Sequence, residues 1–181
     1  MSALALLAPG TWNIDASHSS VSFVARHLVV SKVRGRFDTF AGAITVAADP
    51  LQSTVEATIE VASINTSDAN RDGHLRSADF FDAERYPTIS FTTTAVRAAG
   101  DDFVLTGDLT IKGVTRPVDL ELEFNGVEKD PWGGTRAGFS AETEINRKDW
   151  GLNWNAALET GGVLVSDEVR LSAEVQFVKQ A

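Results

Sequence analysis

Cysteine is absent from all 181 residues, which excludes a disulfide scaffold, a thiolate zinc site, a cysteine nucleophile and an iron–sulfur cluster. Positive charge is scarce: 16 Lys and Arg stand against 25 Asp and Glu, a formal net charge of −9. That balance argues against nucleic acid as a partner, because phosphate binding needs a surplus of Lys and Arg on one face. It argues equally against docking on an anionic membrane surface. Long apolar runs are missing as well. No stretch approaches the roughly 20 apolar residues of a membrane-spanning helix, so no integral membrane segment is expected. Ala3 to Ala8 is apolar but has no Lys or Arg before it, and a strand-like segment begins at Thr11. The chain is therefore expected to be cytoplasmic, without a signal peptide. Asn65-Thr66-Ser67 is a glycosylation sequon in form only.

What is present is ordinary in bulk and distinctive in pattern. Hydrophobic residues make up 43% and charged residues 23%, as in a soluble globular domain. No repeat, low-complexity tract or linker divides the chain. It reads as one domain over residues 1–181, with its core from about residue 10 to residue 178. The dominant signal is alternation with a period of two, the mark of strands with one buried face. Val21, Phe23 and Ala25 share one face, followed in register by His27. Val33, Gly35 and Phe37 share the next, and a phase shift to Phe40, Gly42, Ile44 and Val46 predicts a bulge near Thr39. Val55, Ala57, Ile59 and Val61 alternate with Thr54, Glu56, Thr58 and Glu60; Ile89 and Phe91 sit between Thr88, Ser90 and Thr92. Phe103, Leu105, Gly107, Leu109 and Ile111 lead to a turn at Lys112-Gly113. Val118, Leu120, Leu122 and Phe124 return. Two further strands carry Ala137, Phe139, Ala141, Thr143 and Ile145, then Val169, Leu171, Ala173, Val175 and Phe177. This makes eight long strands and a short leading one at Trp12–Asp15.

One-sided strands of this kind belong to antiparallel sheets with a solvated face. Closure into a barrel removes the exposed edges, although a two-sheet sandwich would alternate in the same way. Strands of about 9–12 residues span about 30–40 Å at about 3.3 Å per residue, longer than usual. A long tube with small interior residues (Ala25, Gly35, Ala57, Gly107, Ala141, Ala173) leaves space for a long apolar ligand. Two stretches break the alternation. One, around 68–83, predicts a short helical insertion carrying Leu75, Phe80 and Phe81. The other, around 147–165, holds Trp150, Leu152, Trp154, Leu158 and a Gly161-Gly162 turn. Their aromatic residues either plug one barrel end as core or form a lid over the mouth of a cavity.

Catalytic and metal motifs are weak. Asp68 to Gly73 matches the first half of a calcium loop, but its twelfth position is Asp79 where a Glu is expected. A capped turn entering a short helix explains the segment better. His18, His27 and His74 lack the i, i+4 pairing of a helical zinc site. Glu121/Glu123 and Glu142/Glu144 are spaced i, i+2, which puts each pair on an outward strand face. Gly138-Phe139-Ser140-Ala141-Glu142 fails as a nucleophile elbow, and no glycine-rich phosphate loop occurs.

A family resemblance follows from particular segments. Trp12-Asn13-Ile14-Asp15, His18 to Phe23, Arg26-His27 and Ser31 to Phe37 resemble the opening of YceI-like proteins. Asn70 to Asp82, Tyr86-Pro87, Leu105 to Thr115 and Ser166 to Val169 continue the likeness, from about Gly10 to Val178. The resemblance implies an extended lipocalin-like barrel of eight antiparallel strands holding a polyisoprenoid, isoprenoid quinone or similar long-chain lipid. Many relatives carry secretory signals, which is a point of departure. The expected function is non-catalytic binding, transport or storage of that amphiphile, with no cofactor and no metal; a homodimer is allowed. The expected binding residues in the barrel interior are Val21, Phe23, Ala25, His27, Phe37, Ala57, Ile59, Phe91, Leu105, Leu109, Leu120, Leu122, Phe139 and Ala141. Phe80, Phe81, Trp150 and Trp154 complete the set as lid. The alternative is an enzyme acting on an isoprenoid or lipid-like substrate with His27 as base.

Overall fold

The computed structural model describes residues 3–28, 30–156 and 164–181. Its strands are β1 Gly10–Ile14, β2 Ser20–His27, β3 Ser31–Phe37, β4 Phe40–Val46, β5 Thr54–Glu60 and β6 Ile64–Asn65. After helix α1, Ala69–Arg76, come β7 Thr88–Ala99, β8 Asp102–Ile111, β9 Val114–Lys129, β10 Thr135–Asn146 and β11 Val165–Lys179. All ladders are antiparallel, and the sheet closes on itself where β1 meets β11.

The eleven strands build eight staves. β1 and β2 both pair with β11, through Ile14↔Phe177 and Val21↔Ala173. They are one stave interrupted by the 3-10 turn Ala16–His18, which Asp15 caps by accepting the Ser17 N–H. β3 and β4 form the second stave, broken at Asp38-Thr39, where the change of phase predicts a bulge. β5 and β6 form the third, facing it through Phe40↔Ile59 and Phe37↔Ile64. β7 to β11 are the other five. Neighbours in sequence are neighbours in the wall, and the first stave seals against the last.

β7 runs seven residues beyond the alternation that ends at Thr92. The ladder shifts register between Thr93 and Ala95. There the buried Thr93 hydroxyl receives the Val55 N–H and donates to the Val55 carbonyl, at 2.9 and 3.1 Å. A polar inward residue and a bulge together erase the period of two.

Helix α1 begins at Asp68, whose carboxylate accepts the N–H groups of Asn70 and Arg71, both at 3.0 Å. Such a cap satisfies donors that the first helical turn leaves free. Apolar side chains gather in two clusters, one at each end of the barrel. At the first end Leu4 and Leu7, from the 3-10 helix Ala3–Leu6 and the residue after it, lie against Trp12, Val46, Phe103, Phe139 and Phe177. At the second end Phe37, Val61, Ile64, Ile111, Ile145, Trp150 and Leu152 pack together, with Leu75 and Phe81 against them.

Two of the small interior residues leave no space. A Cβ on Gly35 would fall 2.2 Å from the ring of Phe23, its partner across β2 and β3. One on Gly107 would fall 2.4 Å from the ring of Phe91. Each glycine is a slot that an aromatic ring fills.

Candidate functional site: an apolar cavity inside the barrel

Between the two end clusters lies a cavity of about 210 Å³. It exceeds the roughly 150 Å³ apolar cavity that stays dry and takes up benzene. The lining is apolar except for Ser53, Glu56 and Ser172. Glu56 is exposed and alternates with inward Val55 and Ala57, so no carboxylate side chain points in from β5. The space exists because small residues meet across the ladders: Gly42 pairs with Ala57, and Ala141 with Ala173. Val55, Ala57, Leu122, Ala141, Leu171 and Ala173 face inward yet remain only half-buried, since they border empty volume.

The structure brings ten of the expected residues together around this cavity: Val21, Ala57, Ile59, Phe91, Leu105, Leu109, Leu120, Leu122, Phe139 and Ala141. Eight do not border it. Phe23 and Phe37 fill the barrel next to it, their ring centroids 5.7 Å apart, and Phe81 lies 6.2 Å beyond Phe37. Ala25 and His27 sit farther along β2, past that pair, and the His27 ring makes no hydrogen bond among the described residues. Phe80 packs against His74 and Trp154, with centroid distances of 5.1 Å for His74 and 5.3 Å for Trp154. Trp150 is buried and donates its indole N–H to the Leu109 carbonyl at 3.0 Å. Trp150, with Phe81 packed against its cluster, is core of the second end, and none of the four expected lid aromatics borders the cavity. Leu158 and the Gly161-Gly162 turn lie outside the described residues.

The opposite end closes on residues that strand periodicity could not reveal. Leu4 and Leu7 line the cavity from the N-terminal 3-10 helix, whereas Leu6 between them is 65% exposed. Their i, i+3 spacing in an otherwise strand-patterned chain was the available signal. Trp12 fixes this segment by donating its indole N–H to the Ala8 carbonyl at 3.0 Å.

Polar side chains work around the tube. Arg147, 4% exposed, donates to the carbonyls of Leu152, Trp154, Val165 and Ser166. It thereby ties together both flanks of residues 157–163. Burial pulls its guanidinium below the ordinary arginine value, while Asp167 acts the other way. Asp72 is buried and accepts the Thr66 N–H and hydroxyl; Asp68 caps α1; Asp79 pairs with His74 at 2.8 Å. The three carboxylates of the calcium-like segment are thus engaged in three separate contacts. Among the described residues no group of three or more His, Asp and Glu side chains could hold a metal ion.

Asp15, Ser17 and His18 have the composition of a catalytic triad without its order. Ser17 donates to Asp15 at 2.6 Å, and the same His18 atom, Nδ1, meets both Asp15 and Ser17. A relay needs the two ring nitrogens on different partners. Arg136 Nη1 also donates to Asp15, at 2.6 Å, and its Nε donates to Asp130 at 3.0 Å. Ser17, then Arg136 and His18, hold the Asp15 carboxyl far below the usual carboxylate range. This is a clasp across the barrel seam.

A closed up-and-down barrel around an apolar cavity places the protein in the lipocalin-like class of antiparallel barrels. The YceI-like domain family matches residues 12–177, and the chain belongs to that family. A UPF0312 protein of Staphylococcus aureus is 41% identical over 169 residues, covering 92% of this chain and 96% of its own. A solved YCEI protein of Campylobacter jejuni superposes with a TM-score of 0.74 at 31% identity, covering 86% of this chain and 90% of its own. A polyisoprenoid binding domain from Saccharophagus degradans shares the fold, with a TM-score of 0.72 at 19% identity, over 93% of this chain and 98% of its own.

Proposed function

We propose that the barrel holds a long-chain amphiphile, with a polyisoprenoid or isoprenoid quinone as its class, and acts as a non-catalytic carrier or store. The observation that carries this reading is the apolar cavity of about 210 Å³ with no titratable side chain among the described residues directed into it. Each methylene enclosed there is worth about 0.8 kcal/mol, so a chain can bind without any polar anchor. The Saccharophagus neighbour, described as polyisoprenoid binding, supports the ligand class. The cavity is smaller than the roughly 300–1,000 Å³ usual for small-molecule sites. A long chain therefore needs one end cluster to give way, and the Leu4–Leu7 segment, which lines the cavity from outside the strand wall, is the part we assign to move.

An enzyme built on His27 draws no support from the geometry, because that residue does not border the cavity. Native mass spectrometry of freshly purified protein tests the carrier. The expected result is an adduct of a few hundred daltons that is released on denaturation and extracted as lipid. A consistently empty protein that rejects polyprenyl, quinone and fatty-acyl probes overturns it. So does a product formed from any of them and lost in His27→Ala.

A further inference from the structure

The hairpin of β2 and β3 differs in charge from the rest of the molecule. Residues 16–37 contain Arg26, Lys32, Arg34 and Arg36 and no Asp or Glu, in a chain whose net charge is −9. All four side chains are exposed on the outward face. Arg36 is neutralised by Asp38 at 2.7 Å. Arg26, Lys32 and Arg34 make no ion pair among the described residues. Arg26 and Lys32 stand directly opposite one another in the ladder, and Arg34 is two residues farther along. Like charges so placed destabilise a sheet, and no carboxylate among the described residues forms an ion pair with Arg26, Lys32 or Arg34. On the neighbouring strand Asp167 is occupied by Lys148 at 3.2 Å, and Glu168 lies in the stretch where the β11–β2 ladder breaks register. The acidic side chains gather elsewhere, on β9, β10 and β11, at Glu121, Glu123, Glu142 and Glu174.

The tip of this hairpin is apolar. Val30 is 85% exposed and Leu28 39%. Leu28 holds a left-handed backbone with φ 57°, where turn chemistry favours Gly or Asn. A bulky apolar residue is thus presented to solvent at a position poorly suited to it.

We propose that this hairpin docks the protein on an anionic phospholipid surface, with Leu28 and Val30 entering the interface and Arg26, Lys32 and Arg34 facing the headgroup phosphates. Net charge does not forbid it. Screening limits exposed charges to about 10 Å at about 0.1 M salt, and the three cations lie within that distance of one another. Strand spacing sets Arg26 about 5 Å from Lys32 and Arg34 about 7 Å beyond. A nucleic-acid backbone would satisfy the cations but not the exposed apolar tip. The inference goes beyond the carrier reading, since it concerns the outer face whatever the barrel encloses.

The test is flotation with phosphatidylcholine vesicles containing or lacking about 30% phosphatidylglycerol, at about 50 mM salt and again at about 500 mM. The intact chain should float with the anionic vesicles, release at high salt, and ignore pure phosphatidylcholine. Arg26→Gln, Lys32→Gln and Arg34→Gln together should weaken binding about a hundredfold, at about 1 kcal/mol per cation. Leu28→Ser with Val30→Ser should weaken it about tenfold or more. Neutralising Arg97, Lys129 and Lys179 at the other end changes net charge equally and should leave binding within about twofold. The proposal fails if the intact protein ignores anionic vesicles at low salt, or if both triple variants lose binding alike. It fails too if a DNA or RNA duplex is bound while vesicles are not. Lipid inside the barrel is read by mass spectrometry without vesicles, so either reading can fail alone. The substituted side chains are exposed except for the half-buried Lys179, and an unchanged thermal midpoint certifies each variant as folded.

Discussion

Ala57→Phe separates an open tube from a filled one. Ala57 faces inward on β5, and its ladder neighbours are Gly42 on one side and Phe91 on the other. Gly42 contributes no side chain, so an added ring meets the cavity first. In a filled core such a change forces neighbours off their rotamers and costs about 1–3 kcal/mol. Here the cavity of about 210 Å³ represents about 5 kcal/mol of packing forgone, at about 24 cal/mol per Å³. A phenyl ring occupying part of it should return about 0–2 kcal/mol. At about 2–4 °C per kcal/mol for a chain of this size, the thermal midpoint of ligand-free protein should hold steady or rise by up to about 8 °C. Affinity for a polyprenyl or quinone probe should meanwhile fall at least about tenfold, as the ring takes up ligand space. Ala141→Phe, beside Ala173 on another part of the wall, repeats the test from a second direction. Calorimetry with delipidated protein and titration with a fluorescent polyprenyl analogue give the two readings. If both variants lose about 1–3 kcal/mol while probe binding is unchanged, the cavity is not where a ligand sits.

Gly35→Ala should destabilise by about 1–3 kcal/mol, because its methyl group overlaps the Phe23 ring; adding Phe23→Leu should restore most of the loss in denaturant unfolding. Arg147→Met should cost about 3 kcal/mol or more by removing the donors to the Leu152, Trp154 and Ser166 carbonyls, while Val165 keeps the Asn155 amide. Arg147→Lys should recover little, since an ammonium cannot span the guanidinium's forked contacts; equal midpoints for Met and wild type would refute this. The Asp15 carboxyl is depressed in the folded state, so its contribution is present above its unfolded value and lost as pH falls below it. Wild type should therefore lose stability between about pH 5 and pH 2 more steeply than Asp15→Asn, and parallel acid limbs would exclude the clasp.

The wall was legible because each strand has one wet and one dry face, and period two survives any sequence that keeps them. Ten cavity residues follow from that alone. The features that escaped are those where another contact replaces the ladder. Thr93 turns a hydroxyl inward and hides the second half of β7. The aromatic rings of Phe23 and Phe91 occupy the slots of Gly35 and Gly107, so small residues on one strand did not mean empty space. Alternation on single strands also cannot say which level of a tube is hollow. That depends on which small residues meet across the ladders, as Gly42 with Ala57 and Ala141 with Ala173 do.

The seam between the first stave and the last has a consequence for how the chain reaches this state. Trp12 pairs with Lys179 and Ile14 with Phe177, contacts separated by nearly the whole sequence. Such pairing lifts contact order, and folding should be slow for a domain of this size. During synthesis β1 and β2 emerge first and wait for a partner that is made last. Until β11 leaves the ribosome, β2 and β10 each present an open edge able to template pairing with another chain. Arg26 on β2, with Lys32 opposite it on β3, puts positive charge beside one of those edges while it waits. Charge of this kind is a known guard against edge-to-edge association.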